Sequence, residues 1–146
     1  MNGTKKGFTL IELMVVVAII AFIAAAALAF MSTPRARSRD ARREEDLKQI
    51  QNALSLYISN VGTYPVCATE TVVNGTSDCL SAALRAEKTI PVTPTDPKNI
   101  IGSCGDANIY IYCYQSLLNG QSFQLRYDLE TDAVPNKSPG WQTFTP

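Results

Sequence analysis

The sequence predicts an α+β chain in which one long N-terminal helix, apolar in its first half and amphipathic in its second, packs on a small antiparallel β-sheet. Three observations lead there. Residues 8–31 form a 24-residue run whose only polar side chains are Thr9 and Glu12. Leu47, Ile50, Leu54, Tyr57, Ile58 and Val61 then recur at helical spacing. Two alternating stretches, Ile109–Tyr114 and Phe123–Leu129, flank an Asn119-Gly120 pair. In a chain of 146 residues the apolar run leaves length for one small globular part.

Composition excludes several classes of function. Thirteen basic residues balance thirteen acidic ones, so the chain lacks the basic surplus of a general nucleic-acid binder. Histidine is absent, which removes Ser-His and Cys-His nucleophile pairs, histidine metal ligands and the commonest general base. No catalytic residue, metal site or cofactor is expected. Charge is uneven along the chain. Residues 35–48 hold six basic groups, Arg35, Arg37, Arg39, Arg42, Arg43 and Lys48, against four acids, and the rest of the chain beyond them holds five against eight.

The elements follow in order. Residues 1–7, with Lys5 and Lys6, form a short positive leader. As a helix, the 24-residue run extends ~36 Å, enough to cross a hydrocarbon layer of ~30 Å with some tilt. A secretory signal peptide cut near Ala24–Ala27 is the other reading, and Glu12 opposes it, because a carboxylate in an apolar run is costly unless it is used. Ser32-Thr33-Pro34 predicts a kink or short unwound stretch. A second helical half covers roughly residues 38–60, its apolar stripe facing the sheet and Asp46, Lys48, Gln49, Gln51, Asn52 and Ser55 on the other side. The charged run Arg39–Asp46 admits i, i+3 and i, i+4 pairs, either on a solvated face or, with Arg35 and Arg37, against lipid headgroups or an acidic patch of a neighbour.

Gly62-Thr63-Tyr64-Pro65 closes the helix with a C-terminal glycine and a proline. Residues 66–107 read as a connecting region with a short helix at Cys79–Lys88. The two alternating stretches then form a hairpin, and a further strand near Val134 or Gln142–Phe144 completes a sheet of three or four strands. The ladder Tyr110, Tyr112, Tyr114 is either half-buried sheet surface or a stacking platform. Cys67, Cys79, Cys104 and Cys113 all follow the apolar run, and none lies in a Cys-x-x-Cys pair. Two disulfides are expected. Three connectivities exist, and the nearest-neighbour pairing Cys67–Cys79 and Cys104–Cys113 closes two short loops in regions poor in regular structure. Asn-x-Ser/Thr triplets at Asn2, Asn74 and Asn136 carry little weight, since one falls in the leader.

Residues 5–20, Lys-Lys-Gly-Phe-Thr-Leu-Ile-Glu-Leu-Met-Val-Val-Val-Ala-Ile-Ile, closely resemble the leader junction of type IV prepilins and type II secretion pseudopilins, and Asp46–Pro65 resembles the stretch that ends in Gly-x-Tyr-Pro in major pseudopilins and short pilins. The resemblance implies a type IV pilin-like fold with residues 1–7 as a leader removed by a prepilin peptidase, 8–33 as a transmembrane and polymerisation helix, 34–61 as its amphipathic continuation and 62–146 as an extracytoplasmic head. It implies cleavage between Gly7 and Phe8 and N-methylation of Phe8. The new Phe8 amine of a neighbouring subunit would then pair with Glu12, making Glu12 an assembly residue. The family's proline within the apolar run is missing, with Ala29 near that place. The calcium loop of secretion-type major pseudopilins has no counterpart, because Leu129–Lys137 offers two acids and a lysine where calcium takes 6–8 oxygens.

The implied function is a structural, non-enzymatic subunit of a type IV pilus-like helical filament serving adhesion, motility or DNA uptake. Its implied partners are further copies of itself, the prepilin peptidase, an inner-membrane platform with an assembly ATPase, minor pilins, and membrane lipid before assembly. Nucleic acid enters only in a DNA-uptake role. The location is the bacterial inner membrane before assembly, and an extracellular pilus or periplasmic pseudopilus after it. Two alternatives stay open: a pseudopilin of a type II secretion system, and a single-pass anchored binding module that never polymerises.

Overall fold

The computed structural model describes residues 7–29, 32–98 and 100–146. Residues 1–6 of the expected leader, residues 30–31 and residue 99 lie outside them. The chain divides into two compact units, residues 1–35 and 36–146.

The first unit contains α1 (Leu10–Ala29), a helix of 20 residues, long and apolar enough to cross a membrane. Its side chains are uncovered: thirteen large apolar residues between Phe8 and Leu28 are 47–87% exposed. Helix α2 (Ser32–Val61) begins before the boundary. Ser32-Thr33-Pro34 is helical and not unwound as expected.

In the second unit, α2 from Ala36 to Val61 packs on a four-stranded antiparallel sheet in the order β1 (Thr71–Val72), β2 (Cys113–Leu117), β3 (Ser122–Leu129), β4 (Gly140–Phe144). The core combines Leu47, Ile50, Ala53 and Leu54 of α2 with Phe123, Leu125, Tyr127 and Leu129, the alternate residues of β3, and with Tyr112 and Tyr114. Helix α3 (Cys79–Ala86) adds Leu80 and Leu84. Its N-cap is Asp78, which accepts from the Ser81 amide at 2.9 Å.

Several expectations need correction. The first hairpin strand is not Ile109–Tyr114 but β2 at Cys113–Leu117, because residues 109–112 run up to the sheet outside its ladder, Tyr112 meeting it only where its carbonyl accepts from the Val73 amide at 2.8 Å. The alternation of aliphatic and tyrosine residues there does not mark ladder pairing. The connecting region contributes β1, paired Thr71 with Tyr114 and Val72 with Cys113, and the short helix stops at Ala86. The apolar stripe of α2 frays at its end, where Val61 is 45% exposed.

The turn between β2 and β3 runs through Leu118, Asn119 and Gly120, all three in left-handed backbone with φ of 49°, 53° and 83°. Gly120 has φ +83°, and a Cβ there would stand 2.7 Å from the Tyr64 carbonyl oxygen. That approach is made by the Gly-x-Tyr-Pro segment: the Tyr64 amide donates to the Gly120 carbonyl at 2.8 Å, the Tyr64 ring meets Phe123 edge-on at 4.7 Å, and Tyr114 Oη donates to the Pro65 carbonyl at 2.8 Å. The signature thus fastens the end of α2 to the hairpin. Gly62, the helix C-terminal glycine, has φ +88° but open space around it. Gly120→Ala is expected to cost about 1–3 kcal/mol and Gly62→Ala about 1 kcal/mol, read from urea unfolding of the full chain in detergent. A larger loss at Gly62 would contradict this packing.

Candidate functional site

Gly7, Phe8 and Thr9 precede α1 in non-helical backbone, and all three are exposed, Phe8 at 87%. Among the described residues a Cβ on Gly7 would meet nothing within 4 Å, so their packing does not require glycine there. Thr9 is the N-cap of α1. Its amide and hydroxyl donate to Glu12 Oε2 at 2.9 and 2.8 Å, and the Glu12 amide donates back to Thr9 Oγ1 at 3.3 Å. This is a reciprocal capping box, in which Glu12 accepts from one of the amides that the first helical turn leaves without a partner. The Thr-x-x-Glu spacing was readable in the sequence. It gives Glu12 a role within its own chain, since the carboxylate is held at the start of the apolar helix.

The second unit is tied together by charge. Asp40 and Arg43, one helical turn apart on α2, are both fully buried. Arg43 is a three-way hub: its guanidinium donates to Asp96 at 2.6 and 3.1 Å, to Asp40 at 2.7 Å and to Glu130 at 2.8 Å. Glu130 also accepts from Arg39 at 2.7 and 2.6 Å and pairs with Lys98 at 2.9 Å. Asp40 accepts from the Glu130 and Thr131 amides at 3.0 and 2.8 Å. Lys98 Nζ and the Arg43 guanidinium stand 3.8 and 4.8 Å from the centre of the Tyr110 ring. Helix, loop 93–98 and the end of β3 are thereby clamped at one place.

Burial pushes the Glu130 carboxyl up, but hydrogen bonds from Arg39, Lys98 and Arg43 outweigh it and hold it at about 2, against an ordinary 4.5. Burial pulls Arg43 down, and Asp96, Glu130 and Asp40 more than restore it, leaving it above its usual value. A second polar layer lies alongside. Tyr112 Oη donates to Asp46 at 2.8 Å, and Tyr127 Oη donates to Glu44 at 2.6 Å while Lys137 Nζ donates to both of them. Burial raises the Tyr127 phenol to about 12. Two of the three ladder tyrosines are therefore internal: Tyr112 and Tyr114 have no exposed surface, which leaves the half-buried Tyr110 alone and closes the reading of the ladder as a stacking platform.

Cys67 pairs with Cys79, and Cys104 with Cys113. The first disulfide ties the segment after α2 to the start of α3, and the second ties loop 101–108 to the start of β2. Glu70 lies beside Cys104 and Cys113, but both of those thiols are consumed in the bond.

Asp46 was expected on the solvent side and the run Arg39–Asp46 on a solvated face or against a neighbour. Instead, Asp40, Arg43 and Asp46 are buried within their own unit. The missed signal is positional, because Asp40, Arg43, Leu47, Ile50 and Leu54 share one stripe, with the charged residues extending the apolar face by two turns.

Removing one partner of a buried charge network strands the others. Arg43→Met is expected to lower the stability of this unit by about 3–5 kcal/mol, whereas exposed Arg42→Met stays within about 0.5 kcal/mol; urea unfolding of the full chain in detergent compares them. The depressed Glu130 carboxyl sets a pH dependence of definite sign. Its contribution is present above the unfolded value of 4.5 and is lost as pH falls from there toward about 2, because the unfolded chain takes up the proton first. Burial raises Asp46 and Asp128, so protonating those two relieves a cost and opposes the trend. Glu130→Gln is expected to remove the loss of stability across that acid window, and an unchanged profile would contradict the assignment.

The prokaryotic N-terminal methylation motif matches residues 3–28 of the chain. The type IV major pilin protein PilA of Myxococcus xanthus (strain DK1622) is 39% identical over 69 residues, which are 47% of this chain and 31% of that protein. The matched stretch thus spans less than a third of the relative's length. No solved structure matches. The chain is thus similar to type IV pilins, through the methylation motif over the cap of its apolar helix and through the stretch it shares with that relative, and its α+β arrangement of helix on antiparallel sheet is consistent with a pilin fold.

Proposed function

We propose that the chain is a structural subunit of a type IV pilus-like filament, cut between Gly7 and Phe8, N-methylated on Phe8 and polymerised through residues 8–33. The observation that carries this reading is α1: a fully uncovered apolar helix whose single charge, Glu12, stands at its capped start, directly after an exposed non-helical Gly7-Phe8 bond. Thirteen large apolar side chains left in water would cost on the order of 20–40 kcal/mol. Lipid covers them before assembly and neighbouring copies of the same helix cover them after it. Cleavage creates an α-amino group at Phe8, four residues before the Glu12 carboxylate. In a head-to-tail stack that amine pairs with Glu12 of the next copy, exchanging the Thr9 hydroxyl for a charged donor, and a heterologous contact of this kind propagates without closing.

The matched relative, a type IV major pilin, favours a pilus over a secretion pseudopilus, as do two disulfides in the head. The Gly62–Pro65 signature is the feature that favours the pseudopilus. On either reading the partners are a prepilin peptidase, a membrane platform and an assembly ATPase, with the head extracytoplasmic. Changing Gly7 to leucine is expected to leave the chain uncut and unassembled. Glu12→Ala is expected to be cut but to yield few or no filaments, scored by electron microscopy of sheared cell surfaces alongside immunoblots for processing. Function that survives both substitutions would favour the anchored, non-polymerising module.

A further inference from the structure

The charge network of the second unit does not balance. Arg39, Arg43 and Lys98 supply three positive charges, and Asp40, Asp96, Glu130 and Asp128 supply four negative ones. The surplus is Asp128. It is 4% exposed, and among the described residues its carboxylate accepts no hydrogen bond; burial raises it, Arg43 opposes that, and the nearby Asp96 and Asp40 add to it. An unpartnered carboxylate at that depth is costly. It is not sealed in, because it lines a cavity of about 420 Å³ together with Asn108, Tyr110, Glu130, Gly140 and Trp141.

The walls of that cavity select a ligand by chemistry. Trp141 of β4 is the direct cross-strand partner of Asp128, and its indole is fixed by a hydrogen bond from Nε1 to the Asp106 carbonyl at 3.1 Å. Trp141 and Tyr110 already hold cations from their own chain, Arg126 at 5.0 Å and Lys98 at 3.8 Å. A hard metal ion does not fit, since it wants 6–8 oxygens, and Glu130 is committed to Arg39, Arg43 and Lys98. One carboxylate beside aromatic rings, with room for several heavy atoms, suits the ammonium or guanidinium end of a side chain. Such groups are present on the same chain: Arg37, Arg42 and Lys48 of α2 are exposed and form no ion pair among the described residues.

We infer that the cavity at Asp128 and Trp141 receives a basic side chain of α2 from a second copy of this chain. The source of the cation rests on the filament reading; the cavity's preference for an organic cation does not.

Trp141 is the single tryptophan and reports on its own site. The full chain, dispersed in a non-ionic detergent, is titrated with methylguanidinium, n-propylammonium and calcium, with sodium chloride as the ionic-strength reference, and Trp141 fluorescence is read. The expected result is a saturable response to the two organic cations, at least about tenfold weaker in Asp128→Asn. No response, a response unchanged in Asp128→Asn, or saturation by calcium alone would overturn the site or its ligand class. In assembled filaments the cavity is expected to be filled and silent to added cation, and to respond again in an Arg37→Gln, Arg42→Gln, Lys48→Gln triple variant. Equal responses in dispersed and assembled wild-type chain would overturn the second copy as source. A chain that never assembles would overturn the filament reading and that source together, while the dispersed titration still decides the cavity.

Discussion

Uncovered apolar surface is the constraint from which the rest follows. Over α1 the chain presents Leu, Ile, Val, Phe and Met side chains all round the helix, and nothing among the described residues of the first unit shields them. A helix that is apolar on every face has no solvent side, so it must be embedded in lipid or among other helices. Its backbone is satisfied internally, which makes either environment tolerable. The one group that such an environment would strand is the Glu12 carboxylate, and Thr9 meets it in the isolated chain. On the proposed reading, processing supplies a stronger partner from a neighbour, so that the same carboxylate caps a helix before assembly and sets register after it.

The second unit faces the opposite problem. It has only 111 residues, a size at which a core alone gives a modest margin of stability. Apolar packing is therefore supplemented by two disulfides and by the Arg43 hub. Such a network is not expected to outperform an apolar core in stability. Its value is positional: the bidentate bonds to Asp96 and the single bonds to Asp40 and Glu130 have one geometry in which all are satisfied, and that geometry fixes loop 93–98 and the end of β3 against α2. The same clamp leaves Asp128 as surplus charge on the other side of β3 from the core residues Tyr127 and Leu129, at a cavity open to solvent.

Much of this was legible in the sequence. The apolar run, the Lys-Lys-Gly-Phe junction, the amphipathic stripe of α2, the Gly62 helix stop, β3, the strand at Gln142–Phe144 and both disulfides follow from local pattern and loop length. What escaped has a physical reason in each case. Residues 109–112 alternate aliphatic and tyrosine side chains like a strand, but their burial does not alternate, Ile109 and Tyr110 being half-buried and Ile111 and Tyr112 buried, and regular strand pairing begins only at Cys113, where β1 and β3 are both in reach. β1 is two residues long, too short to leave a periodic trace. Asp40, Arg43 and Asp46 read as surface because each is charged, and their burial depends on Asp96, Glu130 and Tyr112, which lie 53, 87 and 66 residues away from their partners. Asp128 is the same kind of residue, intelligible only once β4 brings Trp141 beside it.

The central claim is that the chain is made to be processed at Gly7 and assembled through the helix that follows. Intact mass and fragment-ion mapping of the unreduced protein from its native host tests it most directly. The account predicts a chain that begins at N-methylated Phe8 with the Cys67–Cys79 and Cys104–Cys113 bonds closed. A chain that still begins at Met1, or one cut within Ala24–Ala27, would contradict it, the first in favour of an uncleaved anchor and the second in favour of a secreted domain.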